Sequence, residues 1–337
     1  MTKTLETRVH YFPLQAHCFA FGGFDLQMLS ALRAVNELEN GLVVKPNNPW
    51  DKDAHFQIAH FWGLDISHFN QILWAKRSGK KVVLTALFSY FESFQERIRH
   101  EVSSYIGIVR ILKKIVSEID ALVVVSEEQK QIAISKFECH PSKVFVIPNM
   151  VEKSFWEAEN KQNPGGYILS VGNICQRKNQ MNLAKACIKA GVDLILVGAP
   201  QSGEEAYAAE LTDLIETAKN VNWLKGLSQA SDELVDLINN CSGFALISNQ
   251  ETQPISLLEA AVLQKPLLIS SRAFAKQTYY TNACLVDDHE IDFVVEGIIK
   301  LKSNPQNYIP NLANLEACKP INVAMAYAEL YNYLVLG

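Results

Sequence analysis

Eight short apolar runs recur along this 337-residue chain, each closed by a turn former or a polar residue. They are KKVVLTALF (80–88), ALVVVS (121–126), KVFVIPN (143–149), GYILSVG (166–172), VDLILVG (192–198), NVNWLKG (220–226), GFALIS (243–248) and KPLLIS (265–270). Short runs rich in branched residues are what strands covered on both faces look like, which is the situation in a parallel sheet. Helix-length patterns lie between them, at 25–39, 101–118, 127–136, 180–190, 204–219, 230–240 and 256–264. Strand and helix in strict alternation predict an α/β chain with doubly wound parallel sheets.

The length asks for more than one core. SFWEAENKQNPGG (154–166) is polar and breaks at Pro164-Gly165-Gly166, so it is expected to link two domains, 1–153 and 167–337. The last helix of the second is placed to pack back on the first. In open sheets of this kind ligands bind beyond the carboxyl ends of the strands, so two such sheets facing each other should carry their chemistry in those loops.

Composition narrows the classes. With 48% hydrophobic and 20% charged residues the chain reads as globular. A net charge of −5, split as +2 over residues 1–155 and −7 over the rest, excludes a nucleic-acid binder held by bulk charge. Seven cysteines, an odd number with no CxxC pair, argue against a disulfide framework and a zinc site, and for a reducing, cytoplasmic compartment. No signal peptide and no spanning segment are visible. The stretch ERIRHEVSSYIGIVRILKKIV (96–116) reads as a basic amphipathic helix, suited to a weak peripheral contact with an anionic membrane or acceptor.

Three places carry chemistry. Glu251 follows the run GFALIS by a few residues and so lies on a strand-to-helix loop. A helix is expected to start near Ser256, and SLLE (256–259) has the form of a capping box. Glu259 is then either a helix cap or, with Glu251, one of two carboxylates accepting from a polyhydroxylated ligand whose phosphate meets the helix N-terminus. In LSVGNICQRKNQ (169–180) a strand ends at Gly172, and Arg177 and Lys178 follow, cations able to neutralise a departing diphosphate. Gly22 and Gly23 open an amphipathic helix and let a ligand approach the backbone. The DxD form of DKD (51–53) reads as a solvated loop, so no metal or other cofactor is expected.

In this order and spacing the motifs resemble the retaining glycosyltransferases of family 4, the group 1 glycosyltransferases of GT-B fold, over nearly the whole chain. Their paired glutamates with seven residues between appear as Glu251 and Glu259, followed by AAVLQKPLLIS. Their V-G-R-x-x-x-x-K appears as Val171-Gly172-Asn173 with Lys178, their V-I-P-N as residues 146–149, and their glycine pair as Gly22-Gly23. The resemblance implies two Rossmann-like domains facing a cleft and transfer of a hexose-type sugar from a nucleotide-diphosphate sugar to an acceptor hydroxyl, with retention and without metal. Glu251 would hold the donor sugar at the reacting centre, Glu259 the ribose, Lys178 and Gly23 the diphosphate, and backbone near Gly226 and Leu227 the base. The acceptor, whether a glycan, a lipid-linked or a small molecule, would meet the N-terminal domain.

The departures are specific. Asn173 stands where the family has an arginine, with Arg177 a substitute at different spacing. Thr252-Gln253-Pro254 stands where glycines are usual, and Pro254 has no N–H to offer. Leu87 stands at a histidine position, which makes His60 the nearest acceptor-side alternative. A non-catalytic homologue acting as a binding or partner subunit is therefore the alternative, and a nucleotide-sugar epimerase of the same fold a further one.

Overall fold

The computed structural model describes residues 7–18, 22–90, 94–159 and 165–336. It divides into two compact units, Met1–Met150 with Ala317–Gly337, and Val151–Glu316. Each is built on a six-stranded sheet, parallel throughout and covered by helices, as the alternation predicts.

In the first unit the strands are β1 (Thr7–Phe12), β2 (Leu42–Pro46), β3 (Ile58–Trp62), β4 (Lys81–Thr85), β5 (Ala121–Val124) and β6 (Val144–Val146), in the order β2-β1-β3-β4-β5-β6. In the second they are β7 (Ile168–Val171), β8 (Leu194–Val197), β9 (Val221–Leu224), β10 (Gly243–Leu246), β11 (Leu267–Ser270) and β12 (Cys284–Val286), in the order β12-β11-β10-β7-β8-β9. Sequence order reverses direction between β1 and β3 and again between β7 and β10. At such switch points the loops on either side diverge and leave a crevice at the carboxyl edge.

β1, β2, β3 and β12 are absent from the sequence expectation. β3 carries His60 in the middle of an otherwise apolar run, β1 mixes Thr7, Arg8 and His10 with its apolar residues, and β12 is three residues long. The stretch expected as a linker begins inside a short helix, Lys153–Glu157, and residues 160–164 of it lie outside the described residues.

The helix Pro320–Leu336 belongs to the first unit. Its Tyr327, Tyr331 and Leu334 enter the core formed by Val9, Tyr11, Met28 and Trp62. The single helix expected over 101–118 is two, Phe94–Ile106 and Ile108–Glu118. Gly107 between them is extended, and a Cβ there would fall 2.4 Å from Ser103 Oγ, so a larger residue at the corner would have to displace Ser103.

Candidate functional site

The switch point between β7 and β10 brings together three of the expected residues. β7 ends at Val171, and Gly172 follows with φ +150°. A Cβ on Gly172 would come within 2.8 Å of Lys178 Nζ, and one on Gly198, after β8, within 2.1 Å of Gly172 O. Glycine at both positions lets two loop backbones and the lysine stem pass in contact. A turn of 3-10 helix, Gln176–Lys178, then sets both cations just before the helix Gln180–Ala190.

The loop after β10 is bonded to this turn. Asn249 N–H donates to Arg177 O (2.8 Å), while Arg177 Nη1 donates to Gln250 O (2.6 Å) and Glu251 Oε1 (2.7 Å). Lys178 Nζ lies 3.1 Å from the same carboxylate oxygen. The side chains of Glu251 and Lys178 are largely buried, at 10% and 12% exposure, whereas Arg177 is 41% exposed. Burial by itself would raise the Glu251 pKa, but the charges of Lys178 and Arg177 outweigh it and hold the carboxyl below its usual value. One ionised carboxylate and two cations thus meet at the carboxyl edge.

The far side of the same loop is held by an amide. Gln277, wholly buried, donates through Nε2 to Thr252 O, and its Oε1 accepts from Gln253 Nε2 at 3.3 Å. Sequence reasoning missed Gln277, and singled out Gln253 only as part of the altered loop. A buried glutamine looks like any loop glutamine until its partners are known.

The expected cap at Ser256 is not what forms. The helix runs Ile255–Val262 with Pro254 at its N-cap, and Ser256 Oγ donates to Val171 O (3.0 Å), tying the helix to β7. Glu259 is therefore five residues into the helix, too far along for the capping box. It is buried at 3% exposure. Burial, reinforced by the charge of Glu152, pushes its pKa up to about 8, so the carboxyl is mostly neutral at pH 7.

Asn173 is exposed on the loop after β7, its carbonyl accepting from Gln180 Nε2 at 2.8 Å. Gly226, with φ +143°, and Leu227 follow β9 on the same edge of the sheet. Gly22 and Gly23 are in the first unit. Gly22 is the extended N-cap of the helix Gly23–Asn36, and its N–H donates to Asp25 Oδ2 at 2.9 Å.

His60 requires correction. It is fully buried in β3, with Nδ1 2.8 Å from Tyr331 OH and Nε2 2.8 Å from Thr85 Oγ1, and Tyr331 OH is 2.7 Å from Tyr11 OH. Burial lowers its pKa to about 3, so it stays neutral. A histidine with both nitrogens satisfied and no exposed surface pins the C-terminal helix to the sheet and is not open to an acceptor.

Among the described residues, Asp287, Asp288 and His289 bring possible metal-ligand atoms within 4.8 Å of one another. Arg272 already occupies that place, 2.7 Å from Asp288 Oδ1 and 2.9 Å from His289 Nε2, so a fixed cation stands where a metal would have to sit. Asp51 and Asp53 are exposed, and Lys52 pairs with Asp53 at 3.0 Å.

Residues 152–315 match the model of the family described as Glycosyl transferases group 1. No curated protein matches the chain significantly. Solved structures similar to it include a sucrose-phosphate synthase from Thermosynechococcus elongatus (12% identity, 98% of this chain and 99% of that chain, TM-score 0.75). The Anabaena protein HepE in complex with UDP-glucose is similar too (15%, 98% and 100%, 0.69), as is a glycosyltransferase from Rickettsia africae ESF-5 (14%, 98% and 99%, 0.70). At these identities the likeness is one of fold, and that fold is GT-B.

Proposed function

We propose that the chain is a glycosyltransferase of the retaining, metal-independent kind, moving a hexose from a nucleotide-diphosphate sugar to an acceptor hydroxyl. The observation that carries this reading is the convergence of Arg177, Lys178 and Glu251 at the β7/β10 switch point, within the segment that matches the family model.

In this reading Lys178 and Arg177 take the diphosphate, Arg177 supplying the guanidinium that Asn173 does not. Its partial exposure lets it leave Glu251 when phosphate arrives. Glu251 then holds the sugar hydroxyls beside the anomeric carbon, Glu259 the ribose, and the loop at Gly226 and Leu227 the base. The N–H groups at Ser256 are further donors to the diphosphate. The bond from the anomeric carbon to the phosphate oxygen breaks, a bond to the acceptor oxygen forms on the same face, and the acceptor proton passes to the leaving phosphate. One carboxylate at the reacting centre does not make the two-carboxylate arrangement of a retaining glycosidase. The acceptor is a glycan, a lipid-linked or a small molecule met by the first unit, in the cytoplasm or at the inner face of a membrane. Asn173 favours one second reading, a subunit that binds nucleotide and transfers nothing.

The test is a thermal-shift screen with UDP-, GDP- and ADP-sugars in the presence of EDTA, beginning with UDP-glucose because HepE was crystallised with it. At least one nucleotide sugar is expected to raise Tm. Lys178→Ala is expected to weaken that ligand by about 1–3 kcal/mol, the range for charge-assisted hydrogen bonds. No shift with any nucleotide rejects the reading. A shift without turnover over a panel of acceptors selects the binding subunit.

A further inference from the structure

The loop from β10 to the helix Ile255–Val262 is held at several points. Near its start Ser270 Oγ, fully buried, donates to Ser248 O (2.6 Å), and Asn249 N–H donates to Arg177 O. In the middle the Arg177 guanidinium holds Gln250 and Glu251, and Lys178 holds Glu251 as well. Immediately after Glu251 the hold is neutral. There the Gln277 amide donates to Thr252 O and accepts from Gln253 Nε2.

Gln277 is itself a fixed point. It joins two turns of 3-10 helix, Ala273–Lys276 and Thr278–Tyr280, whose Phe274 and Tyr280 are buried. Its N–H donates to Phe274 O (3.3 Å), and its carbonyl accepts from Tyr280 N–H (3.1 Å). Burying an amide costs free energy unless its atoms are bonded. This one directs its donor to Thr252 and an acceptor position to Gln253, the two residues that follow Glu251.

A diphosphate changes the balance of these holds. On the glycosyltransferase reading, on which this inference rests, Arg177 and Lys178 turn to the phosphates, and the ionic hold on Gln250 and Glu251 is released as the sugar arrives. An anion does not compete for a neutral amide that is 1% exposed. We propose that Gln277 is a positioning residue for Glu251. With the cations gone, it fixes the peptide after Glu251, so the carboxylate swings to the sugar hydroxyls from a Cα that stays in place. The Cα atoms of Glu251 and Thr252 are one peptide apart, about 3.8 Å. Misplacing a reacting group by about 1 Å can cost on the order of a hundredfold in rate. In this role Gln277 touches neither sugar nor phosphate.

The experiment compares the unaltered chain with Gln277→Leu and Gln253→Leu, each also in the Glu251→Gln background. The probes are UDP-, GDP- and ADP-glucose and the three free nucleoside diphosphates, and kcat is read as release of diphosphate over a panel of acceptors or to water. In Gln277→Leu kcat should fall roughly tenfold or more, while affinity for the free diphosphate changes by less than about twofold. In the Glu251→Gln background the same substitution should cost less than about twofold, because Gln277 acts through that carboxylate. A second readout, hydrogen exchange of the peptide 249–253, needs no transfer. Diphosphate should speed it at least about tenfold more in Gln277→Leu than in the unaltered chain, the loop having then lost both holds. Gln253→Leu keeps the bond to Thr252 and should lie between the two, and it carries the test if Gln277→Leu shows no cooperative melting. Unaltered kcat, an equal fall in both backgrounds, a loss of diphosphate affinity that matches the loss of kcat, or an effect of diphosphate on exchange that is the same in variant and unaltered chain overturns the proposal. If nucleotide binds and nothing is transferred, the transferase reading falls, and exchange decides whether Gln277 holds the loop. If no nucleotide binds, both fall.

Discussion

Glu259→Gln should melt higher than the unaltered chain above neutral pH, and the gap should close in acid. The carboxyl of Glu259 has its pKa raised by burial, then by Glu152, to about 8 in the folded chain. In the unfolded chain it titrates near about 4.3. A raised folded pKa contributes stability that is fully present below the unfolded pKa. That contribution is lost as pH rises through the folded value. The unaltered chain should therefore lose on the order of a few kcal/mol between about pH 4.5 and about pH 8 on account of this one group. Glutamine keeps the shape and removes the titration, so the variant's profile should be flatter. Melting temperatures at several pH values decide this, and parallel profiles for the two chains would sink it. The same group gives nucleotide binding a signature. Ribose hydroxyls donating to an ionised Glu259 would draw its proton out. Calorimetric enthalpies should then vary with the ionisation heat of the buffer, and Glu259→Gln should abolish the variation while weakening the nucleotide.

Glu251→Gln is expected to separate turnover from binding. The carboxylate holds two cations that the reading gives to the diphosphate, and holds the sugar only in its reacting geometry. Interactions realised mainly in the transition state govern turnover more than affinity. A fall in kcat of at least roughly tenfold, about 1.4 kcal/mol, should accompany nucleotide affinity that is no weaker than before, since Arg177 and Lys178 lose a competitor for the phosphate. Unaltered turnover in the variant would remove Glu251 from the chemistry and leave it as the partner that holds Arg177 and Lys178 in place.

How much of this the sequence disclosed depended on the kind of pattern. All six strands from β4 to β9, and β10 and β11, are short branched runs that burial on both faces makes conspicuous. β1 and β3 were hidden by His10 and His60, polar residues whose burial is tolerable only because of partners far along the chain, Asn47 for one and Thr85 and Tyr331 for the other. The site divides in the same way. Glu251, Arg177 and Lys178 were legible as charged residues after strand ends, where an α/β sheet binds ligands. That Arg177 and Lys178 would share one oxygen of Glu251 was not, because it depends on β10 lying beside β7 rather than on sequence spacing. Ser256 misled because a serine ahead of an apolar run is the usual N-cap, whereas Pro254 ends the loop two residues earlier and frees the hydroxyl for β7. His60 misled because residue type alone cannot distinguish a histidine facing a ligand from one facing a tyrosine.

Tyr11 and Tyr331 meet 320 positions apart, and the whole of the second unit is threaded between them. During synthesis on a ribosome the second unit is complete once Glu316 has emerged, while the first still lacks the helix that fills its core. The usual sequence of events, in which the part made first folds first, is reversed for this chain. Until Pro320–Leu336 arrives, the core around Val9, Met28 and Trp62 lacks Tyr327, Tyr331 and Leu334, the hydroxyl of Tyr11 lacks that of Tyr331, and the nascent first unit presents this gap to chaperones and to other chains. A fragment ending at Glu316 should accordingly keep a cooperative melting transition for residues 151–316 and bind 8-anilinonaphthalene-1-sulfonate through its unfinished half. The first unit is thus completed only after the second, when one helix closes a core begun some three hundred residues earlier.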